Sequence, residues 1–478
     1  MKLSELLSEI ATASPYSDVT VSDVTNDSRK AGNGVVYAAI RGTNLDGHRF
    51  AQSALEQGAA AVLVDHDMGL DGQIIVENTR EAYALACANL FGNPSKKLKL
   101  VGVTGTNGKT SVTTMVRHIL EASGLKTGLI GTIQIEYGDV VKENKNTTPD
   151  AHVFHQTLAE MLKAGCQYAV TEVSSHALAQ DRLFGCHFEV CVFTNLTQDH
   201  LDYHKDMEDY FQAKRRLFSM GNRNIVNIHD PYGKRLAEEL GEDTVTFCLK
   251  NPEADFSASD IVCTPGAVDF RVLHDGVASK VHFAIPGLYS VENAMAAISI
   301  CSVLGIPLDS IIKALGQIKG IKGRSEIVYR DETMTVICDY AHTPDGIENI
   351  LKSMKECTHG RLVALFGCGG DRDTKKRPLM AKACEKFADF IIVTSDNPRS
   401  EDPEAIIREI LPGLSEQASY ITIPDRREAI AYAMHHAQTG DTIVLLGKGH
   451  EDYQILKDRT IHFDEREVVA QIAAELKK

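Results

Sequence analysis

Lys109 and Thr110 end the decapeptide Val-Gly-Val-Thr-Gly-Thr-Asn-Gly-Lys-Thr at 101–110, a combination that few chemistries other than phosphate binding require. Gly105 and Gly108 let the backbone curl so that N–H groups face an anion. Lys109 adds a positive charge, and Thr110 a hydroxyl suited to a magnesium ion. The common form of this loop has a glycine where Val103 stands, so this is a variant cradle. Two polar stretches could complete such a site. One runs Thr171-Glu172-Val173-Ser174-Ser175-His176, in which Glu172 offers the hard oxygen that magnesium favours. The other runs Thr194-Asn195-Leu196-Thr197-Gln198-Asp199-His200, in which His200 is a less usual magnesium partner. Lys214 lies in a polar helical stretch, and by composition alone it reads as a solvated lysine.

Farther along, Gly367-Cys368-Gly369-Gly370-Asp371-Arg372-Asp373 invites a dinucleotide reading, but Arg372 takes the place of the third glycine, which argues against nicotinamide or flavin. Arg372, Arg399 and Glu451, each near a strand end, would instead suit a zwitterion. Arginine forks grip carboxylates, and a glutamate pairs with an ammonium.

The elements that must hold these groups show in the hydrophobic pattern. Leu98, Leu100, Val101 and Val103 read as a buried strand, and Val112, Met115, Val116, Ile119 and Leu120 recur at helical spacing until Gly124. Before them come an amphipathic helix on Leu3, Leu6, Leu7 and Ile10, strands at 35–40 and 60–64, a helix at 51–58, and a turn-rich linker at 91–97. After them, strands are expected at 168–173, 189–196, 336–339, 362–366, 390–394 and 442–446. Strands alternating with helices imply parallel, doubly wound sheets, whose ligands bind at the strand ends where the polar stretches fall. A length of 478 residues suits three such domains.

A formal charge of −15 argues against nucleic acid as a partner. No run approaches the eighteen or so apolar residues of a membrane span, and Met1 opens no signal peptide, so a cytoplasmic protein with no membrane partner is expected. The eleven cysteines are scattered; the close pair Cys186 and Cys191 has no zinc-site company and reads as buried thiols.

Taken together, Gly-Thr-Asn-Gly-Lys-Thr, Thr-Asn-Leu-x-x-Asp-His-Leu-Asp-Tyr-His, Asp-Tyr-Ala-His-Thr-Pro and Gly-Lys-Gly-His-Glu occur in an order that resembles the Mur ligases, ATP-dependent amide-forming enzymes of peptidoglycan precursor synthesis. Within that family, Asn146-Thr147-Thr148-Pro149-Asp150, Glu172-Val173-Ser174-Ser175-His176 and Asp396-Asn397-Pro398-Arg399 are similar to members that add meso-diaminopimelate to UDP-N-acetylmuramoyl-L-alanyl-D-glutamate. The resemblance implies three domains. A small mixed α/β UDP-binding domain would occupy 1–97, a central P-loop ATPase domain with a parallel sheet 98–325, and a Rossmann-like α/β domain for the amino acid 326–478.

It also implies roles. Gly105, Thr106, Asn107, Gly108, Lys109, Thr110 and Ser111 would hold the ATP phosphates, and Asn293, Arg324 and Asp339 the rest of the nucleotide. Thr110, Glu172, His200 and Lys214 would hold magnesium, Lys214 after reacting with carbon dioxide to become a carbamate. The implied catalytic group is Lys109, Lys214 and His200. Ser28, Thr43, Asn44 and Leu45 would take the uridine nucleotide, and Asn146, Thr147, Thr148, Ser174, Gln180 and Arg182 the muramoyl peptide. Arg372, Asp396, Asn397, Pro398, Arg399, Gly447 and Glu451 would take diaminopimelate. A monomer acting on small molecules is expected. Tyr289, Ser290 and Ser325 depart from the residues usual in the family. Folylpolyglutamate synthase, which shares the loop and the lysine, and a P-loop switch or kinase are the alternatives.

Overall fold

The computed structural model describes residues 1–42, 45–201, 203–264 and 266–476. The chain divides into two compact units, Met1–Leu196 with His200–Val245, and Thr197–Asp199 with Thr246–Lys478.

The first unit contains two sheets. Asp23–Thr25, Val35–Ala38, Ala61–Val64 and Gln73–Ile75 form a parallel four-stranded sheet in that order. It packs on Leu3, Leu6, Ala82 and Tyr83. The expected first helix is much shorter than its apolar stripe: it covers only Leu3–Leu6, because Glu9 turns into the left-handed region at φ 66° and breaks the spiral before Ile10. In the second sheet the order is Gly221–Asn227, Phe188–Phe193, Lys99–Thr104, Tyr168–Glu172 and Thr127–Ile130, all parallel. Gln134–Tyr137 and Val140–Glu143 extend it as an antiparallel hairpin. Lys99–Thr104 is central because its residues from Leu100 onward are apolar or small and all buried. The helix Lys109–Ala122 follows, with Val112, Met115, Val116, Ile119 and Leu120 at 0–1% exposure, as their spacing requires.

In the second unit, Phe256–Thr264, Ala267–His274 and Val277–Phe283 form an antiparallel meander. It departs from the expected parallel pattern, although Val268, Phe270 and Val272 alternate with exposed Asp269 and Arg271 as a one-sided strand should. The six-stranded sheet runs Glu326–Arg330, Met334–Asp339, Asp441–Leu446, Leu362–Phe366, Phe390–Val393 and Tyr420–Thr422; only its first pair is antiparallel. Its strand ends carry the polar stretches. All eleven cysteines are free, Cys186 and Cys191 among the buried ones. Among the described residues no helix is long and apolar enough to cross a membrane.

Candidate active site

The loop after Lys99–Thr104 is held open by its neighbours as well as by its own lysine. Gly105 sits at φ 148°, and a Cβ there would strike Thr194 Oγ1, so only glycine fits. Thr194 Oγ1 donates to Asn107 O (2.6 Å), Asn107 N donates to Asn195 Oδ1 (2.9 Å), and Thr106 N donates to Asn195 O (2.9 Å). Thr194 and Asn195 therefore buttress the loop, a role that the reading of 194–200 as ligands did not anticipate. Those two N–H groups are engaged within the protein, and Lys109, Thr110 and Ser111 form the first turn of the helix, the end that favours an anion.

Lys109 Nζ donates to Gly105 O (2.9 Å) and Thr106 O (2.8 Å). Lys214 Nζ reaches the same Gly105 oxygen (2.8 Å) and lies 4.6 Å from the centroid of the Tyr210 ring. At 1% exposure it is no solvated lysine, which corrects the compositional reading. The two ammonium groups meet at one carbonyl, where the loop would turn about a phosphate.

Glu172 ends the strand Tyr168–Glu172 at 1% exposure. Its Oε2 accepts from Thr110 Oγ1 (3.0 Å) and Thr132 Oγ1 (2.9 Å), and its Oε1 from Thr132 N (2.8 Å). This buried carboxylate among hydroxyls is the hard oxygen set that suits magnesium. Thr132 lies outside the expected set, and nothing in the sequence distinguishes it. Its hydroxyl is 3.0 Å from Thr147 Oγ1. From there the network continues. Thr148 Oγ1 donates to Glu172 O (2.8 Å) and accepts from Ser174 N (2.9 Å), and Arg182 Nη1 donates to Thr148 O (2.8 Å). Arg182 Nε and Nη2 also grip Gln180 Oε1 (3.1 and 2.8 Å). Thr147, Thr148, Ser174, Gln180 and Arg182 thus join Thr110 and Glu172 in one hydrogen-bonded run; Asn146 is exposed beside it. His200, in the left-handed region at φ 54°, packs its ring 4.9 Å from that of His176 and 6.1 Å from that of Tyr210.

Asp150 ties the two sheets of the first unit together. It caps the helix Ala151–Lys163 through His152 N (3.2 Å), while Oδ1 accepts from Tyr83 OH (2.9 Å) and Oδ2 from Asn26 Nδ2 (3.2 Å). His152 Nε2 lies 2.8 Å from Asp23 Oδ1. Ser28 opens a short helical turn capped by Asp27, and Leu45 is 53% exposed. Thr43 and Asn44 lie outside the described residues.

The second unit has its own cluster. Asp339 Oδ2 accepts from Ser325 N (2.7 Å) and Ser325 Oγ (3.2 Å), and Oδ1 from Ala341 N (2.8 Å). Burial pushes its carboxyl above the usual range, with Arg324 and these bonds opposing. The Arg324 guanidinium is 4.8 Å from the centroid of the Tyr340 ring, and Asn293 is buried in the helix Leu288–Val303. Tyr289 OH is hydrogen-bonded to Ser325 Oγ, so two departures from the family pattern are partners of each other.

At the strand ends of the six-stranded sheet, Asn397 N donates to Asp396 Oδ1 (2.6 Å), Asn397 Nδ2 to Glu451 Oε2 (2.9 Å), and Arg399 Nη1 to Gly370 O (2.9 Å). Pro398 is buried between them, and Arg372 is exposed. Gly447, at φ 109°, leaves room for Asp396 Oδ2, which a Cβ would approach to 2.7 Å. Two further residues were not anticipated. Lys448 is buried against Asn397 and Glu451, and Arg426 pairs with Glu465 beneath the loops. Lys448 lies within the Gly-Lys-Gly-His-Glu stretch and Arg426 in no motif, but the burial of either charge depends on partners distant in sequence, which the stretch itself does not show.

Three family models match the chain: "Mur ligase family, catalytic domain" over 20–89, "Mur ligase middle domain" over 103–301, and "Mur ligase, glutamate ligase domain" over 323–449. A UDP-N-acetylmuramoyl-L-alanyl-D-glutamate--2,6-diaminopimelate ligase of Clostridium tetani is 43% identical over 486 residues, covering all of both chains. One of the same description from Caldanaerobacter subterraneus subsp. tengcongensis is 45% identical over 466 residues, 96% of each. A solved structure of a ligase of that description superposes with a TM-score of 0.75 at 30% identity, over 100% of this chain and 99% of the other.

Proposed function

The chain belongs to the Mur ligase family, and on that premise we propose that it joins meso-2,6-diaminopimelate to the D-glutamyl γ-carboxylate of UDP-N-acetylmuramoyl-L-alanyl-D-glutamate, at the cost of ATP. The observation that carries this reading is the unbroken run of hydrogen bonds from Thr110 of the phosphate loop through Glu172 and Thr132 to Thr147, Thr148 and Arg182. A run of this kind sets the phosphate donor and the carboxylate acceptor in one frame, which is the positioning that phosphoryl transfer between two anions requires.

A carboxylate does not acylate an amine, because oxide is too poor a leaving group. Transfer of the γ-phosphoryl group to the D-glutamyl carboxylate gives an acyl phosphate, from which phosphate departs as the amine attacks. The chain's part is electrostatic. Lys109 and the N–H groups of the first helical turn neutralise the transferring charge, and Arg182 steadies the acceptor peptide. Thr110 and Glu172, with His200 and a carbamylated Lys214, would hold magnesium. That ion supplies further charge neutralisation when bound. Carbamylation would take protons from Lys214 Nζ and join it to carbon dioxide, leaving one N–H that can still donate to Gly105 O and replacing the cation by an anionic oxygen ligand. In the second unit, Asp339 and Arg324 would take the nucleotide and the cluster at Asn397 the diaminopimelate.

The domain bounds 1–97, 98–325 and 326–478 belong to the same reading. They are supported by the four-stranded sheet, which ends at Ile75, and by the six-stranded one, which opens at Glu326. A monomer in the cytoplasm, acting on small molecules, belongs to the same reading. In the test, purified protein with ATP and magnesium is given the UDP-muramoyl dipeptide and meso-diaminopimelate, singly and together. ADP release with an amide product only when both are present supports the reading, and equal ADP release with neither sinks it.

A further inference from the structure

The cluster taken above for diaminopimelate contains a charge with no assigned role. Lys448 is 0% exposed, with Nζ 3.3 Å from Asn397 Oδ1 and 3.2 Å from Glu451 Oε2. Asn397 Oδ1 also accepts from Ile455 N (3.0 Å), and its Nδ2 donates to Glu451 Oε2 (2.9 Å). A backbone N–H can only donate, so the amide orientation is fixed: the oxygen of Asn397 is turned inward, and the face left for a ligand is its N–H side.

Two consequences follow. First, Asn397 can offer a carboxylate a donor but cannot offer an ammonium an acceptor. Second, Glu451 does not meet the ligand as a lone anion, since Lys448 already faces its Oε2. Counting the charged groups, Asp371, Asp396 and Glu451 stand against Arg372, Arg399 and Lys448, so the cluster is balanced with Lys448 and one negative charge in excess without it. Arg372 is exposed and screened by water, whereas the charge of Lys448 is buried and screened much less. A site of this balance accepts a side chain that ends in both carboxylate and ammonium, and disfavours one that ends in ammonium alone.

We infer that Lys448 is a positioning and specificity-determining residue: it orients Asn397 and Glu451 and sets the charge that favours diaminopimelate over L-lysine. This rests on the proposed function, and the experiment separates the two. Amide formation is measured with meso-diaminopimelate and with L-lysine for the wild type, Lys448→Met and Lys448→Arg, with folding of each variant checked by thermal melting. Loss of charge-assisted hydrogen bonds should lower kcat/KM for diaminopimelate about 10- to 100-fold in Lys448→Met. The preference over L-lysine should shrink with it, while the KM for ATP holds. Lys448→Arg should keep the preference. Equal losses for both amino acids in Lys448→Met, or loss of the preference in Lys448→Arg, would overturn the inference.

A wild-type measurement covers the case in which the variants do not fold. Norleucine is lysine without its distal ammonium. It should inhibit diaminopimelate incorporation more strongly than L-lysine does, and the reverse order overturns the inference. A wild type that makes no amide from diaminopimelate contradicts the proposed function itself, whereas an active wild type with an unmoved preference in Lys448→Met contradicts only the role of Lys448.

Discussion

Replacing Arg426 by methionine should destabilise the second unit and, through it, the amino-acid site. Arg426 is 1% exposed and Glu465 0%. Arg426 Nε donates to Glu465 Oε1 (2.8 Å), Nη2 to Leu446 O (2.8 Å) and Nη1 to Ser395 O (3.4 Å). Those carbonyls immediately precede Gly447 and Asp396. Methionine fills similar space but leaves a buried carboxylate without its cation and the Leu446 carbonyl without its donor. Breaking one side of a buried pair costs about 3–5 kcal/mol. In a unit of this size about 1 kcal/mol moves Tm by roughly 2–4 °C, so a fall of about 6–20 °C is expected. Calorimetry of Arg426→Met measures the shift. Arg426→Met combined with Glu465→Leu removes both charges and should recover most of it, because the penalty lies in the uncompensated ion. At temperatures where the single variant remains folded, the KM for diaminopimelate should rise and that for ATP should hold. A single variant that melts within about 2 °C of wild type, or a double variant less stable than the single one, would refute the reasoning.

Asp150→Ala removes a helix cap and the acceptor of Tyr83 OH together, so a loss of about 2–4 kcal/mol in urea unfolding is expected. The KM for the UDP substrate should rise, and Tyr83→Phe should show only part of either effect. Thr132→Val takes a hydroxyl from Glu172 while keeping the shape; the magnesium concentration for half-maximal activity should rise about 10-fold in a titration. His155 is 0% exposed, and burial, with His152 adding, holds its ring down at about 4 against an ordinary 6.5. The unfolded chain then binds the proton first. Stability should be full above pH 6.5, decline as pH falls, and level off near 4, by about 3 kcal/mol for this group. Chemical unfolding of wild type and His155→Leu across that range checks it; the variant should show a shallower decline.

What could be read in the sequence and what could not divide along a physical line. The loop at 101–110 was legible because its chemistry is local: glycine, lysine and hydroxyl lie within a few residues, between a strand and a helix with plain periodicities. The central strand and the helix Lys109–Ala122 appear where the apolar spacing put them. Lys214 was misread by composition because its burial depends on Gly105, far away in sequence, and on the Tyr210 ring packed beside it. Thr132 and Arg426 went unseen, and Lys448 was quoted within its motif without a role, for the same reason. A single polar residue gains meaning only from partners brought to it by the fold, such as Glu172, Asn397 and Glu465. The first helix was overread, since apolar spacing cannot register the left-handed turn at Glu9. The meander at 256–283 was readable from its alternation, but the surrounding βα rhythm obscured it.

The central claim is that the run from Thr110 to Arg182 presents a carboxylate to a phosphoryl donor. UDP-muramoyl dipeptide labelled with oxygen-18 in its D-glutamyl γ-carboxylate, turned over with ATP and meso-diaminopimelate, tests this most directly. Mass spectrometry of the released phosphate should find one labelled oxygen per amide formed. Amide formation with unlabelled phosphate would contradict the account.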